Sequence, residues 1–374
     1  MRTYKIKDLG KVITGKTPST KVNIFWNSND FPFICPPDIK NNRYISKSIK
    51  YISNYALNKF NSIKLKENSI VISCIGYIGY VSITKKLSIS NQQINAITNI
   101  NRNIVSELYL YYLLLTKKDY FNSIGQNGTT MPIINKTLFE NIELSIHSIE
   151  QQHHIVNIIG SVDNLIENYQ ERINKICNIL FISLKKYTEK ISIKYYEPKI
   201  IKSGITKFDK TKIYIDTSKI EGINNMSNGN IITFNKRPSR ANMQPIKNSV
   251  WFAKMKESNK KLIITENDFD LINDYILSTG YLGVEASSKI PLSLLLGIII
   301  SSDFNEQRDL NSVGTTMAGI NNETFLNILV PKLSDDEILK YDKNYHSFIN
   351  ELSLLRKKIN ELRVIKSKLL EKYF

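Results

Sequence analysis

Gly10, Gly15, Lys16 and Thr17 stand at the spacing GxxxxGK[ST], the pattern in which a glycine-rich loop cradles phosphates and a lysine reaches the terminal ones. That chemistry needs a buried strand before the loop and a helix after it, so that helix amides point at the anion. The preceding Tyr4–Leu9 is half charged, and the following segment, 18–27, has no helical period. Nucleotide hydrolysis is therefore kept only as a minor alternative.

Cys35-Pro-Pro-Asp38 is reminiscent of the [ND]PP[YF] loop of amino-methyltransferases, but both functional positions differ: no amide or carboxylate opens it and no aromatic ring closes it. Gly76-Tyr-Ile-Gly79 is too short a match for the glycine loop that holds S-adenosylmethionine. Cys35, Cys74 and Cys177 are far apart and odd in number, and the four histidines, His147, His153, His154 and His346, sit at or within helical segments. Neither a disulfide scaffold, a zinc site nor a nucleophile with its base can be assembled from these spacings.

What the chain does carry is basic and amide side chains interleaved with aromatics, the types that meet phosphates and base edges. Arg can fork onto guanine, and Asn or Gln onto adenine. In the first half the candidates are Lys16, Thr17, Ser19, Thr20 and Lys21 with Trp26, then Lys40, Arg43, Tyr77, Asn91, Gln92, Gln93 and Lys136. In the second half they are Lys236, Arg237, Ser239, Arg240, Asn242 and Gln244, followed by Lys254 and Lys256 near Trp251. Over 374 residues, 51 Lys and Arg against 34 Asp and Glu give a net charge of +17, which suggests a polyanionic partner. The charge is weak by itself, because a chain rich in Lys, Ile and Asn also reflects an A·T-biased coding sequence. A hydrophobic fraction of 42% excludes general disorder. With no apolar stretch of ~18 residues and no secretory pattern, a cytoplasmic location is expected.

An internal repeat organises the elements that must position these residues. Gly128-Thr-Thr-Met131 recurs as Gly314-Thr-Thr-Met317, an offset of 186 that also carries Phe139 onto Phe325, Asn141-Ile142 onto Asn327-Ile328, and Ile173-Asn174 onto Ile359-Asn360. Each copy continues into a long helix opened by an S-x-x-E/Q capping box, at Ser148–Gln151 and Ser334–Glu337. Apolar steps of three and four predict a seam through Ile155, Val162, Leu165, Tyr169, Ile173, Ile176, Leu180 and Leu184 on the first helix. The second carries Tyr345, Phe348, Leu352, Leu355, Ile359, Leu362 and Leu369. Each helix would be a rod of roughly 55–60 Å. The expected fold is α+β: two globules, 1–147 and 193–333, separated by two helices, 148–192 and 334–374, which form an antiparallel coiled coil in a pseudo-two-fold repeat. Short strands are expected at Ser69–Ser73, Ile213–Asp216, Asn248–Phe252 and Lys261–Thr265, helices at Glu107–Leu115 and Leu292–Ile300, and a polar hinge at Lys190–Lys207.

The order of Gly15-Lys-Thr-Pro-Ser19, Phe33-Ile-Cys-Pro-Pro-Asp-Ile39, Asn68–Gly76, Ser90-Asn-Gln-Gln-Ile94 and Gly128–Lys136 resembles the target-recognition domain of a type I restriction-modification specificity subunit. Arg237-Pro-Ser-Arg-Ala-Asn-Met243 resembles a segment of other recognition domains of that family. The resemblance covers nearly the whole chain. It implies a non-catalytic subunit whose two target-recognition domains each read half of a bipartite site on double-stranded DNA. Conserved-region helices would set the spacing and dock two modification subunits. It implies no cofactor in this chain: S-adenosylmethionine belongs to the adenine-methylating modification subunits, and ATP and magnesium to two restriction subunits where these are present. Two divergent globules imply an asymmetric site. The Asp-Asp-Glu of the second cap departs from the Glu150-Gln151 of the first and leaves open how equally the modification subunits dock. A scaffold that binds RNA or protein through the same loops is the other alternative.

Overall fold

The computed structural model describes residues 1–40, 42–126, 132–314 and 318–374. The repeated Gly-Thr-Thr-Met segment lies outside the described residues except for Gly314. The chain divides into two compact units, residues 1–163 with 364–374 and residues 164–363, so the division passes through both long helices.

In the first unit a five-stranded sheet has the spatial order Lys11–Thr14, Ile94–Thr98, Ile70–Ser73, Val81–Thr84 and Tyr44–Ile45. Its central strands are β-branched and buried along their whole length, as strands covered on both faces must be. Beside it the helix Glu107–Thr116 is apolar all round, with Tyr109 to Leu114 buried, and it starts where the Ser106 hydroxyl accepts the Tyr109 amide. A three-stranded sheet of Lys50–Ile52, Phe31–Ile34 and Ile89–Ser90 has a separate core around Phe25, Phe33 and Leu57.

The second unit repeats the first at the level of topology. Its sheet Lys199–Ile200, Tyr281–Glu285, Ser249–Ala253, Lys261–Ile264 has the same strand order as the first four strands above. A further sheet, Asn230–Ile232, Lys212–Ile215, Tyr275–Ser278, Ala241–Met243, repeats in its first three strands the pairing of the three-stranded sheet of the first unit, one antiparallel and one parallel neighbour about the central strand, and adds the edge strand Ala241–Met243. Ahead of each long helix an antiparallel strand pair closes the half: Arg2–Lys5 with Glu143–Ile146, and Lys190–Ser192 with Leu329–Pro331. The short helices Lys136–Glu140 and Asn322–Leu326 lie 186 residues apart, the same offset as the sequence repeat.

The long helices span Ile149–Leu184 and Asp335–Tyr373. The first ends eight residues before the expected 192, and the expected hinge instead contains the strand Lys190–Ser192 and the buried Ile193 and Tyr196. Within the second unit Tyr341 donates its hydroxyl to the Leu180 carbonyl at 2.8 Å, and Arg172 pairs with Glu351. Within the first unit Lys366 pairs with Asp163 at 2.7 Å, and His154 and Tyr373 meet edge to face. In each unit one partner's number falls as the other rises, so the segments run antiparallel.

Ile173, Ile176, Leu180, Leu184, Leu352, Leu355 and Ile359 are core residues of the second unit, with Tyr169, Tyr345 and Phe348 packed against them. Ile155 and Leu369 join the core of the first unit, Val162 is buried, and Leu362 is half-buried. Leu165 is a correction: it is 42% exposed. From Val162 the buried row steps by four to Ile166, not by three, giving Ile159, Ile166, Ile173 and Leu180 seven apart. The cap at Ser334 is the fuller one. Glu337 accepts the Ser334 amide at 2.9 Å and donates its own amide to the Ser334 hydroxyl, whereas Ser148 holds Gln151 through side chain and amide only.

Candidate nucleic-acid interface

In the first unit the strand Lys11–Thr14 leads into a loop that closes directly on a second loop. The Gly15 amide donates to the Ile94 carbonyl at 3.0 Å and the Lys16 amide to the Ser90 carbonyl at 2.9 Å. A Cβ on Gly15 would stand 2.1 Å from the Asn91 carbonyl oxygen, so only glycine permits this approach. Thr17 donates its hydroxyl to Gln92 at 2.7 Å, and the Trp26 indole N–H donates to the Ser19 carbonyl at 3.1 Å while its ring rests edge-on against Phe33. Trp26 thus supports the loop, and Lys16, Thr17, Ser19, Thr20, Lys21 and Gln92 are left exposed on one ridge.

Asn91 is buried beneath that ridge, holding the Gln93 amide and side chain at 3.1 and 2.9 Å. The Gln93 carbonyl accepts from Cys74, which leads into the turn carrying Tyr77. Tyr77 is 76% exposed and stacks on Tyr80, over which the Lys118 ammonium sits at 5.2 Å. The same geometry disposes of the phosphate-loop pattern. Residues 11–14 are a paired strand, the Gly15 and Lys16 amides are already used, and the next helical turn is the three-residue Asn23–Phe25. Asp38 of the Cys-Pro-Pro-Asp segment is likewise structural, accepting the Cys35 and Ile49 amides at 2.8 Å each.

Arg43 is a correction. It is only 8% exposed, lies over the Tyr44 ring, and joins a buried polar group with the Tyr112 hydroxyl at 3.5 Å and Asp163 at 4.0 Å. Burial, then the Asp163 charge, pushes the Tyr112 hydroxyl far above its ordinary value, so it stays protonated and donates to Asp163 at 2.8 Å. Lys40 is exposed at the end of a short helical turn, and Lys136 is exposed but spanned by Glu140 at 3.4 Å.

In the second unit the Lys236–Arg240 loop is anchored from behind. The Arg240 carbonyl accepts from Thr279 at 2.9 Å, and the Asn242 carbonyl accepts from Gly204 at 2.8 Å. Lys236, Ser239 and Arg240 are exposed. Arg237 lies 4.2 Å over Phe234, whose ring meets Phe208 edge-on, and Lys212 lies over Phe208 at 5.3 Å. Asn242 is half-buried in its strand. Gln244 is a second correction, turned inward to donate to the Ile272 carbonyl at 2.9 Å. Lys254 is half-buried, which depresses its pKa, and Lys256 beside it is exposed.

Each unit therefore carries an exposed basic and amide loop beside an aromatic pair with a cation above it. Lys118, Phe208 and Lys212 were not legible as site residues, because they come from segments tens of residues away from the rings they join, whereas Tyr80 and Phe234 stand three residues from Tyr77 and Arg237, a spacing that could have signalled them. Among the described residues no cluster of His, Cys, Asp or Glu could hold a metal, and no helix is long and apolar enough to cross a membrane. Burial pushes the Cys74 and Cys177 thiols up to about 12 and Cys35 to about 11, so none is a thiolate near neutral pH.

Residues 1–178 match the family described as type I restriction modification DNA specificity domain. A type I restriction enzyme specificity subunit of Methanocaldococcus jannaschii, MjaIX, is 34% identical over 49% of this chain and 42% of its own length. The HindI specificity subunit of Haemophilus influenzae is 33% identical over 47% and 39%. The matched segments span about two fifths of these relatives. A solved S subunit of a type I restriction-modification system from M. genitalium shares the fold, with a TM-score of 0.50 at 16% identity over 100% of this chain and 96% of that one. The first half of the chain thus matches the type I restriction modification DNA specificity domain, and both halves together share the fold of a solved S subunit.

Proposed function

We propose that this chain reads DNA sequence for a type I restriction-modification complex, each half contacting one part of a bipartite, asymmetric site. The observation that carries the reading is the recurrence, on cores of the same strand order, of an exposed basic and amide loop beside an aromatic–cation group. Lysines and arginines on these loops neutralise phosphates, and Gln92, Lys236 and Arg240, exposed and of the types that bond to base edges, meet those edges in the major groove. The loops differ between halves in sequence, and the second half adds the edge strand Ala241–Met243 directly after its basic loop, which supports different half-sites.

The long helices set the spacing between half-sites and dock two modification subunits. The subunit itself is non-catalytic and works in the cytoplasm. S-adenosylmethionine enters with the modification subunits, and ATP and magnesium with restriction subunits. The residues of this chain do not fit a phosphate loop of their own, since the amides that would form it are spent within the sheet.

The test is co-purification with a modification subunit encoded beside it, followed by mapping of N6-methyladenine in host DNA with and without this gene. Methylation of one split, asymmetric motif that disappears on deletion is expected. A stable complex with unchanged methylation would refute sequence reading and leave a binding scaffold. Absence of any complex would refute docking.

A further inference from the structure

Lys254 follows the strand Ser249–Ala253, its amide bonded to the Gly280 carbonyl and its carbonyl accepting from Ile320, so its backbone is fixed on both sides. Its side chain lines two adjoining cavities, of about 160 Å³ and about 500 Å³, which also share Asn322. Half-buried as it is, the ammonium has no carboxylate or hydrogen-bond acceptor among the described residues, and burial alone accounts for its depressed pKa. An ammonium held this way costs free energy that no contact among the described residues returns, which is the condition of a cation waiting for an anion.

The walls agree with that reading. The smaller cavity adds Lys202, Ser203 and Thr279 and contains no acidic residue, whereas Glu323 lines the larger one. Thr279 is also the residue whose amide holds the Arg240 carbonyl, so the smaller cavity is continuous with the exposed basic loop of the same unit.

We propose that this cavity is a phosphodiester subsite, in which Lys254, with Lys202, Ser203 and Asn322, clamps one backbone phosphate of the DNA and so fixes the register of the second half-site without reading a base. The inference rests on the DNA-reading function proposed above. It separates Lys254 from Lys236 and Arg240, which are exposed enough to reach base edges.

The test compares the full chain, in complex with its modification subunits, with its Lys254→Met and Lys254→Arg variants. Affinity for duplexes with the cognate motif and with a scrambled one is measured across salt concentrations. For Lys254→Met the slope of log K against log salt should become shallower by roughly 0.9, the value of one phosphate contact, with equal fold-losses on both duplexes. Lys254→Arg should keep the slope. The free chain carrying Lys254→Met should melt higher than wild type, because an uncompensated cation has been removed. An unchanged slope, or a loss confined to the cognate duplex, would overturn the phosphate assignment, and a lower melting temperature would overturn the unpaired-cation premise. If the wild-type complex binds no DNA, it is the proposed function that fails and not this subsite alone.

Discussion

Removing Arg356 should damage the second unit more than any surface change, and the structure says by how much. Asp268 is fully buried; its carboxylate accepts the Thr265 amide and hydroxyl at 2.8 and 2.9 Å, takes a hydrogen bond from Ser353, and pairs with the buried Arg356. Arg356 also donates to the Ile263 carbonyl, so one guanidinium ties the second long helix to a strand and to the turn after it. Burial by itself would raise the Asp268 carboxyl, but the Arg356 charge, and then the Ser353 and Thr265 bonds, outweigh it and hold the group below its ordinary value. Arg356→Met leaves that buried carboxylate with only the half-buried Lys357 ammonium, 3.9 Å away, as a cation, which costs about 3–5 kcal/mol, a large part of the stability of an ordinary domain.

The assay is urea unfolding at pH 7 and pH 4.5 of wild type, Arg356→Met, Asp268→Asn and the double variant. A coupling of about 1–3 kcal/mol between the two sites is expected, since both residues serve one network. The pH dependence has a definite sign. In wild type the folded pKa is depressed, so the stabilisation is present above the unfolded carboxyl pKa and is lost as pH falls below it. In Arg356→Met the largest lowering influence is gone, so the folded pKa lies above that of wild type, and the gap between the two proteins must widen from pH 4.5 to pH 7. A cost below about 1 kcal/mol, additive single variants, or a gap that narrows toward neutral pH would refute the reasoning.

The buried Lys261, held by Asn305 at 3.0 Å, is pushed down to about 8 by burial and then by Arg308. Its folded pKa lies below the unfolded one, so it contributes a rise in stability from about pH 8 to pH 10, and Lys261→Met should abolish that rise while stabilising the chain at pH 7 by up to roughly 3 kcal/mol in calorimetry. Gly15→Ala should separate the Gly15 and Ser90 loops, since the new methyl group meets two backbone carbonyls, and DNA affinity should fall about 10-fold or more while far-ultraviolet dichroism is preserved. Leu165→Ala should be nearly neutral, within about 0.5 kcal/mol, whereas Ile173→Ala, at a fully buried seam position, should cost about 2–5 kcal/mol; equal costs in denaturant melts would restore the original seam.

The sequence alone determined the repeat, the two long helices with their caps, and the placement of the local elements. The expected short strands and helices lie within a residue or so of the observed ones, because each is a short run of consistent period bounded by turn residues, whereas the end of the first long helix, at Leu184, fell eight residues short of the expected 192. The aromatic–basic character of the recognition loops was legible for the same reason, as a property of neighbouring residues. Which candidates face outward was not. Arg43 and Gln244 have the same residue types as true surface readers, and only the packing of Tyr112 and Asp163, or of the helix ending at Asp274, turns them inward.

Tertiary structure decided three further things, each because it depends on contacts between residues far apart in the chain. The common strand order of the two halves survives where their sequences have diverged, since ladders of backbone hydrogen bonds do not require particular side chains. The helix seam shifts from Leu165 to Ile166 because its phase is set by the helix it packs on and not by its own apolar letters. Finally, Lys254 became distinguishable from the other lysines only once the fold had half-buried it against a cavity, with no partner for its charge among the described residues.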